Sequence, residues 1–114
     1  MAKTIDVGPA GSLGHGQTRK FRFEDACGER EGFVVRWQGR LYAYINECRH
    51  IPLSLDWTDN RFFSRDGRYL QCATHGALYE VETGRCVAGP PAGLRLQALP
   101  VTEAGGRILV TTGQ

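Results

Sequence analysis

The sequence of 114 residues has no apolar run near the roughly 18 residues that a membrane-spanning helix needs. Its first residues, Met1–Ala10, lack an apolar core behind a basic start, so we expect no secretory signal. The basic segment Arg19–Arg22 is not followed by a hydrophobic stretch, so we expect no twin-arginine signal either. We therefore expect a cytoplasmic protein in a reducing compartment, with no membrane partner.

The chain also has little net charge. Lys and Arg number 14 and Asp and Glu 12, which leaves a net charge of +2. Such a balance gives no reason to expect nucleic acid as a partner. The hydrophobic content of 41% and the charged content of 23% are typical of a globular domain and argue against disorder. The length suits a single domain that covers residues 1–114.

Long helical periodicity is absent, and short β-rich segments separated by turns take its place. This pattern predicts an all-β fold, an antiparallel sandwich or small barrel. Residues 32–37 and 41–45 are predicted to form a hairpin through the turn 38–40. A second hairpin is predicted around Asp66-Gly67, with a type I′ turn. Further strands are predicted at 19–23, 77–81, 94–101 and 107–111.

The glycine-rich stretch Gly8–Gly16 does not have the spacing of a phosphate-binding loop. No Gly-Lys-Ser/Thr follows it, and it does not lie between a strand and a helix as a dinucleotide-binding loop does. The stretch is therefore interpreted as a flexible leader and turn, in which His15 is exposed to solvent.

Four Cys and three His make up the metal-binding and thiol chemistry of the chain. Two of each form the short motifs Cys48-Arg49-His50 and Cys72-Ala73-Thr74-His75. Four cysteines also fit two disulfides, but a reducing compartment favours metal binding or unpaired thiols. A structural zinc site uses the same side chains, usually with about two to four residues between paired ligands. The first motif leaves only one, which makes better sense if its Cys and His bind different metal atoms.

These motifs resemble those of the Rieske [2Fe–2S] protein family, over a stretch from about Phe33 to Val110. The similarity includes the glycine after the second His, the Thr83-Gly84 turn and the Pro90-Pro91 loop. It implies one [2Fe–2S] cluster per chain, in which two Cys bind a buried iron and two His bind an outer iron near solvent. It also implies a Rieske-like antiparallel β fold whose cluster-binding subdomain, at about 46–92, is built from two loops. The ligands implied by the resemblance are Cys48, His50, Cys72 and His75.

The function implied by the resemblance is electron transfer without catalysis. Two ferric ions, two sulfides and two thiolates sum to zero charge, so a cluster with two neutral imidazoles accepts an electron more readily than one with four thiolates. The chain would carry single electrons between a reductase and a terminal oxygenase or other oxidoreductase, both docking near His50 and His75.

Two other functions compete with the carrier. One is that of a small electron-transfer or structural subunit of a larger oxidoreductase, similar to the small subunit of nitrite reductase. The other is that of a zinc-bound structural module, which uses the same ligand set. An oxygenase catalytic subunit is excluded, because its mononuclear iron needs two further His and a carboxylate, and only His15 remains.

The chain departs from the high-potential respiratory members of the family at several positions. Leu53 and Thr74 replace the two cysteines of their additional disulfide, and Ala77 replaces a serine. A low to middle potential is therefore expected. Tyr79 is either a residue that tunes this potential or a core aromatic.

The spacing between the two motifs and the two remaining cysteines also need an interpretation. The 21 residues of 51–71 make a longer gap between the motifs than is usual in soluble members. The hairpin Phe62–Leu70 would absorb the excess, either as a harmless surface insertion or as an element that affects the choice of partner. Cys27 and Cys86 match no ligand position and are expected to be unpaired thiols, with Cys86 half-buried.

Overall fold

The computed structural model describes residues 3–25, 28–46, 62–64, 66–71, 76–89 and 95–112. Within these ranges all regular elements are β-strands and all strand pairs are antiparallel, which confirms the predicted fold class. No helix in these ranges is long and apolar enough to cross a membrane. The strands are β1 Lys3–Pro9, β2 Thr18–Asp25, β3 Gly28–Trp37, β4 Arg40–Ile45, β5 Tyr69–Gln71, β6 Leu78–Glu80, β7 Cys86–Ala88, β8 Ala98–Leu99, β9 Val101–Ala104 and β10 Arg107–Thr112.

The chain divides into two compact units. The first contains residues Met1–Ile45 and Ala98–Gln114, and the second contains Asn46–Gln97. The first unit has a three-stranded sheet of order β1-β10-β9 and a four-stranded sheet of order β2-β3-β4-β8. Its core follows the two-residue period of the strands. The buried side chains of this core are Val7, Ala10, Leu13, Phe21, Phe23, Val34, Ala43, Ile45, Ile108 and Val110.

The start of the chain is not the flexible leader that the glycine-rich sequence predicts. Strand β1 pairs with β10, from Lys3 opposite Thr112 to Pro9 opposite Arg107, with a bulge between Asp6 and Pro9. The Asp6 carboxylate accepts a hydrogen bond from the Gly8 amide at 2.9 Å and contacts the Arg107 guanidinium at 3.1 Å. These contacts hold the pKa of Asp6 below its ordinary value. The hydrogen bond from Arg107 is the larger cause, and the hydrogen bond from the Gly8 amide is the second. Gly8, with a φ of 110°, therefore lies in a β-bulge between the paired strands β1 and β10.

Arg36 fixes the loop that follows β1. Its side chain is only 15% exposed and donates from Nε to the Leu13 carbonyl and from Nη2 to the Ala10 carbonyl, both at 3.0 Å. Its Nη1 pairs with Glu103 at 3.2 Å. Ala10 and Leu13 are themselves buried. One guanidinium thus donates to two carbonyls of this loop, in addition to the backbone hydrogen bonds that Ala10 and Gly16 donate to Gly106 and Arg36.

His15 is exposed, as predicted, but it has two partners. Its ring lies 4.7 Å from the Trp37 ring, and its Nδ1 accepts a hydrogen bond from the Gln38 amide at 3.0 Å. Gln38 and Gly39 have φ angles of 51° and 82° between the paired residues Trp37 and Arg40. This is a two-residue hairpin turn of type I′, and the first predicted hairpin is confirmed.

The turn of the second hairpin differs from its prediction. Phe63 pairs with Leu70, but Asp66 does not have a positive φ, which a type I′ turn would require. The Gly67 amide instead donates to the Ser64 carbonyl at 2.9 Å, and Gly67 has a left-handed φ of 72°. The Asp66 carboxylate accepts from the Ser64 hydroxyl at 2.6 Å and from the Arg68 amide at 3.1 Å, which lowers its pKa. Ser64 at the first position and Gly67 at the fourth position are the residues that a type I turn favours.

Gly32 is required by the close approach of Phe21 from the neighbouring strand. The two residues lie directly opposite each other, and a Cβ on Gly32 would be 2.5 Å from Phe21 Cζ. We expect Gly32→Ala to destabilise the protein by about 2 kcal/mol through overpacking, which is measurable by urea denaturation. Gly11→Ala, where a Cβ would meet nothing within 4 Å, is the matched control. Equal stability of the two variants would contradict the role given to Phe21.

Candidate functional site

The second unit is built on the three-stranded sheet β5-β6-β7. Leu70 pairs with Tyr79, and Tyr79 pairs with Cys86 on its other side. The side chains of these three residues are buried, together with Phe62, Ala77, Val81 and Leu96. The unit therefore has a hydrophobic core of its own, and the connections between its strands contain the second predicted ligand motif.

The four predicted ligands Cys48, His50, Cys72 and His75 lie outside the described residues, as does Cys27. The structure does describe the residues that flank the second motif. Gln71 pairs with Leu78, so the six residues 72–77 form the connection between two paired strands. Elsewhere in the described chain, no three His, Cys, Asp or Glu side chains come together as a metal site would require.

The two ends of this connection are close to each other. Gly76, the residue after His75, has a φ of 67°, and a Cβ there would lie 3.4 Å from the Gln71 side-chain nitrogen. Gly76 thus turns the chain into β6 in a conformation that L side chains rarely adopt. The segment that contains Cys72 and His75 therefore starts and ends at neighbouring points of one sheet.

The approach to the first motif is described as far as Asn46. This residue directly follows β4, lies two positions before Cys48, and is only 6% exposed. Buried polar side chains in folded proteins are almost always hydrogen-bonded, which fixes their position. The chain therefore enters the first motif from a buried position.

The loop that contains Pro90-Pro91 begins beside Ala77, which follows the second motif in the sequence. Gly89 has a φ of 77°, and a Cβ there would lie 3.2 Å from the Ala77 Cα, two positions after His75. The sequence indicated this loop only by its prolines, because a contact between residues twelve positions apart leaves no local pattern. The described residues thus bring the start of the proline-bearing loop next to the end of the Cys72–His75 connection.

Cys86 is a thiol without a disulfide, as predicted, but it is buried with 2% exposure and not half-buried. Its Sγ donates to the carbonyls of Ala88 at 3.4 Å and Gly89 at 3.6 Å. The prediction underestimated its burial because Cys86 faces inward on a strand between two exposed residues. The thiol acts as a small core side chain that also contacts the backbone leading into the proline-bearing loop.

The Thr83-Gly84 turn joins β6 to β7. The Thr83 hydroxyl donates to the Glu80 carboxylate at 2.7 Å, and the Gly84 amide donates to the Glu80 carbonyl at 2.8 Å. The Gly84 carbonyl in turn accepts from the Leu96 amide at 2.8 Å. The turn therefore connects the sheet to the chain that returns from the proline-bearing loop.

Tyr79 and the Phe62–Leu70 hairpin are both part of this core. Tyr79 is fully buried at the centre of the sheet, so it is a core aromatic, and its tuning role stays a prediction. Phe62 is 1% exposed and Leu70 is not exposed, whereas Asp66 and Gly67 at the tip are exposed. The prediction of a surface insertion is therefore wrong for the base of the hairpin, which packs inward, and holds for its tip.

The residues fit an iron–sulfur cluster by their donor chemistry. Two thiolates and two imidazoles are ligands for iron, and the described sheet keeps both ends of one ligand segment at adjacent positions. Gly89 adds a close approach to the Ala77 backbone, and Gly76 and Gly89 both have positive φ angles that side chains avoid.

Comparisons with known proteins place this chain among iron–sulfur proteins. Residues 3–100 match the family model described as the Rieske [2Fe-2S] domain. The chain is 35% identical over 85 residues to the ferredoxin component of an alkene monooxygenase system from Xanthobacter autotrophicus (strain ATCC BAA-1158 / Py2). That match covers 75% of this chain and 65% of the relative, so the match spans just under two thirds of the relative's length.

Solved structures give the same result. The chain is similar to the ferredoxin of carbazole 1,9a-dioxygenase from Nocardioides aromaticivorans IC177, with 26% identity and a TM-score of 0.69. The match covers 95% of this chain and 96% of that one. A chain in the complex of reduced oxygenase and oxidized ferredoxin in carbazole 1,9a-dioxygenase is 25% identical, with a TM-score of 0.73 and coverage of 94% and 91%.

Proposed function

Because the chain belongs to the Rieske [2Fe-2S] domain family, we propose that it is a one-electron carrier that delivers electrons to a terminal oxygenase. The observation that carries this proposal is the family match over residues 3–100, together with ferredoxin relatives from oxygenase systems. When bound, the [2Fe–2S] cluster supplies reversible one-electron chemistry. The chain itself is not an enzyme, because its relatives are the ferredoxin components of multicomponent oxygenases.

The proposed cluster ligands are Cys48 and Cys72 for the inner iron and His50 and His75 for the outer iron. The Cys-x-His and Cys-x-x-His spacings support this assignment. The β5–β6 frame supports it as well, because it anchors residues 72–77 at both ends. Thiolate side chains are short and suit the buried metal atom, whereas imidazoles extend further toward solvent.

We propose a single domain over residues 1–114 whose cluster-binding subdomain covers about 46–92. The proposed partners are a reductase and a terminal oxygenase that dock near His50 and His75, and the proposed location is the cytoplasm. Support for the oxygenase comes from a similar solved structure, which is a complex of reduced oxygenase and oxidized ferredoxin. Weak, small interfaces are usual for electron carriers.

The experiment that tests this function is a spectroscopic and redox analysis of the protein purified from iron-replete cells. We expect a red-brown protein with two irons and two sulfides per chain. Its reduction potential should fall as pH rises, because deprotonation of the imidazole ligands stabilises the oxidised state. A colourless protein that contains zinc would overturn the proposal and favour a structural zinc module.

The tuning role of Tyr79 gives a separate prediction. Tyr79→Phe removes one hydroxyl from a fully buried side chain and leaves the ring in place. We expect the reduction potential to fall by several tens of millivolts, because one hydrogen bond to the site would be lost. Protein-film voltammetry measures this shift. Tyr42→Phe, at a half-buried position of β4, is the control. An unchanged potential in Tyr79→Phe would leave Tyr79 as a core aromatic alone.

A further inference from the structure

Two arginines of the second unit lie directly opposite each other in an antiparallel bridge. Arg85, the residue before β7, pairs with Arg95, and both are exposed. Residues in such positions project from the same face with Cβ atoms about 5 Å apart, and like charges there are destabilising. The arrangement therefore has a cost in stability that the fold itself does not explain.

The described residues do not offset this charge. Neither arginine forms an ion pair among them, whereas Arg22 pairs with Glu29 at 2.9 Å and Arg107 with Asp6 at 3.1 Å. Glu80 is close in sequence, but its carboxylate accepts the Thr83 hydroxyl. Two adjacent guanidinium groups thus remain available to an external anion.

An exposed apolar residue lies beside this pair. Between the pairs Leu78–Ala88 and Tyr79–Cys86 the register shifts by one residue, which makes Val87 the extra residue of a β-bulge. Val87 is 38% exposed and is the one large exposed hydrophobic side chain among the described residues. Bulges redirect side chains at sheet edges. Val87 therefore faces solvent two positions after Arg85.

We propose that Arg85, Val87 and Arg95 form a docking patch for an acidic surface of the electron-transfer partner. This inference rests on the proposed function, and charge complementarity carries it. The guanidinium groups of Arg85 and Arg95 can form paired hydrogen bonds with carboxylates, and Val87 adds an apolar contact. The patch is therefore complementary to a carboxylate-rich protein surface. The two arginines flank the proline-bearing loop along the chain, since residues 86–94 connect them.

A labelled peptide of about eight glutamates is the probe, and fluorescence anisotropy measures its affinity at about 20 mM salt, where the Debye length is long. We expect Arg85→Gln and Arg95→Gln each to weaken binding about threefold, and about 200 mM salt to weaken it further. Arg40→Gln, which removes an exposed arginine of β4, should change binding less than about twofold.

Arg85→Glu separates binding from stability. It places opposite charges in register with Arg95, so we expect a Tm higher by about 2–4 °C together with loss of peptide binding. Loss of binding with a lower Tm would indicate a structural role and overturn the patch. Equal weakening by Arg40→Gln, or tighter binding of a DNA duplex than of the peptide, would overturn it as well.

The visible spectrum is recorded for each of these variants. A normal cluster spectrum with no effect of the two arginines contradicts the docking patch alone. Absence of a cluster spectrum in the unmodified protein contradicts the proposed electron-carrier function instead. The two failures are therefore distinguishable.

Discussion

Cys72→Ser should yield a protein that has lost its red-brown colour and its visible absorption. Serine keeps the size of the side chain but replaces a soft thiolate by a hydroxyl that ionises only weakly, so the inner iron loses a ligand. The effect is expected to be complete, since a cluster bound by three of four ligands is not retained during purification. Absorption spectra and iron content measure it, and Cys48→Ser should give the same result.

Cys86→Ser is the matched control for this experiment. Cys86 is a buried thiol of the second unit, and a serine hydroxyl there can donate to the same Ala88 carbonyl. The control should keep its full cluster spectrum. For the imidazoles, His75→Ala should remove the spectrum and His15→Ala should not, because His15 stacks on Trp37 and accepts the Gln38 amide in the first unit. A normal spectrum in Cys72→Ser would contradict the ligand assignment.

The second large effect is expected at Arg36. Arg36→Ala removes the donors to the Leu13 and Ala10 carbonyls and the ion pair with Glu103. The Ala10 carbonyl keeps its hydrogen bond from the Leu13 amide, whereas the Leu13 carbonyl is left without a donor among the described residues in a largely buried position. Since each buried unsatisfied group costs about 1–3 kcal/mol, we expect a loss of about 3 kcal/mol in the free energy of unfolding. The corresponding fall in Tm is about 10 °C or more, measurable by calorimetry.

Two variants make the Arg36 result specific. Arg36→Lys keeps the charge but has no forked donors, so it should recover less than half of the lost stability. Arg40→Ala, an exposed arginine four positions further on, should change stability by less than about 0.5 kcal/mol. A loss in Arg36→Ala no greater than in Arg40→Ala would show that the loop after β1 does not depend on this guanidinium.

Local patterns in the sequence predict the elements whose partners are close in the chain. The hairpin of β3 and β4 and the strand β10 follow from β-branched and aromatic runs next to Gln38-Gly39 and Gly105-Gly106. Strand β1 could not be predicted in this way. Its partner β10 is about a hundred residues away, and its glycines resemble those of a flexible segment. Long-range pairing leaves no periodicity in a short window.

The candidate site shows the same division between local and long-range information. The spacing of Cys48, His50, Cys72 and His75 is visible in the sequence and leads to the family, whose match over residues 3–100 confirms the resemblance. The opposition of Arg85 and Arg95 depends on strand register across a loop, which the sequence does not reveal. The burial of Cys86 likewise depends on the inward direction of one strand position.

The pairing of β1 with β10 has a consequence for synthesis on the ribosome. Lys3 cannot pair with Thr112 until the ribosome has synthesised Thr112, whereas β5, β6 and β7 lie within twenty residues of one another. Contacts between distant residues form slowly because a long loop must close first. The sheet of the second unit can therefore form while β1 still lacks its partner. Nascent chains released before Arg107 should protect residues 69–88 from proteolysis and leave residues 3–9 open to cleavage.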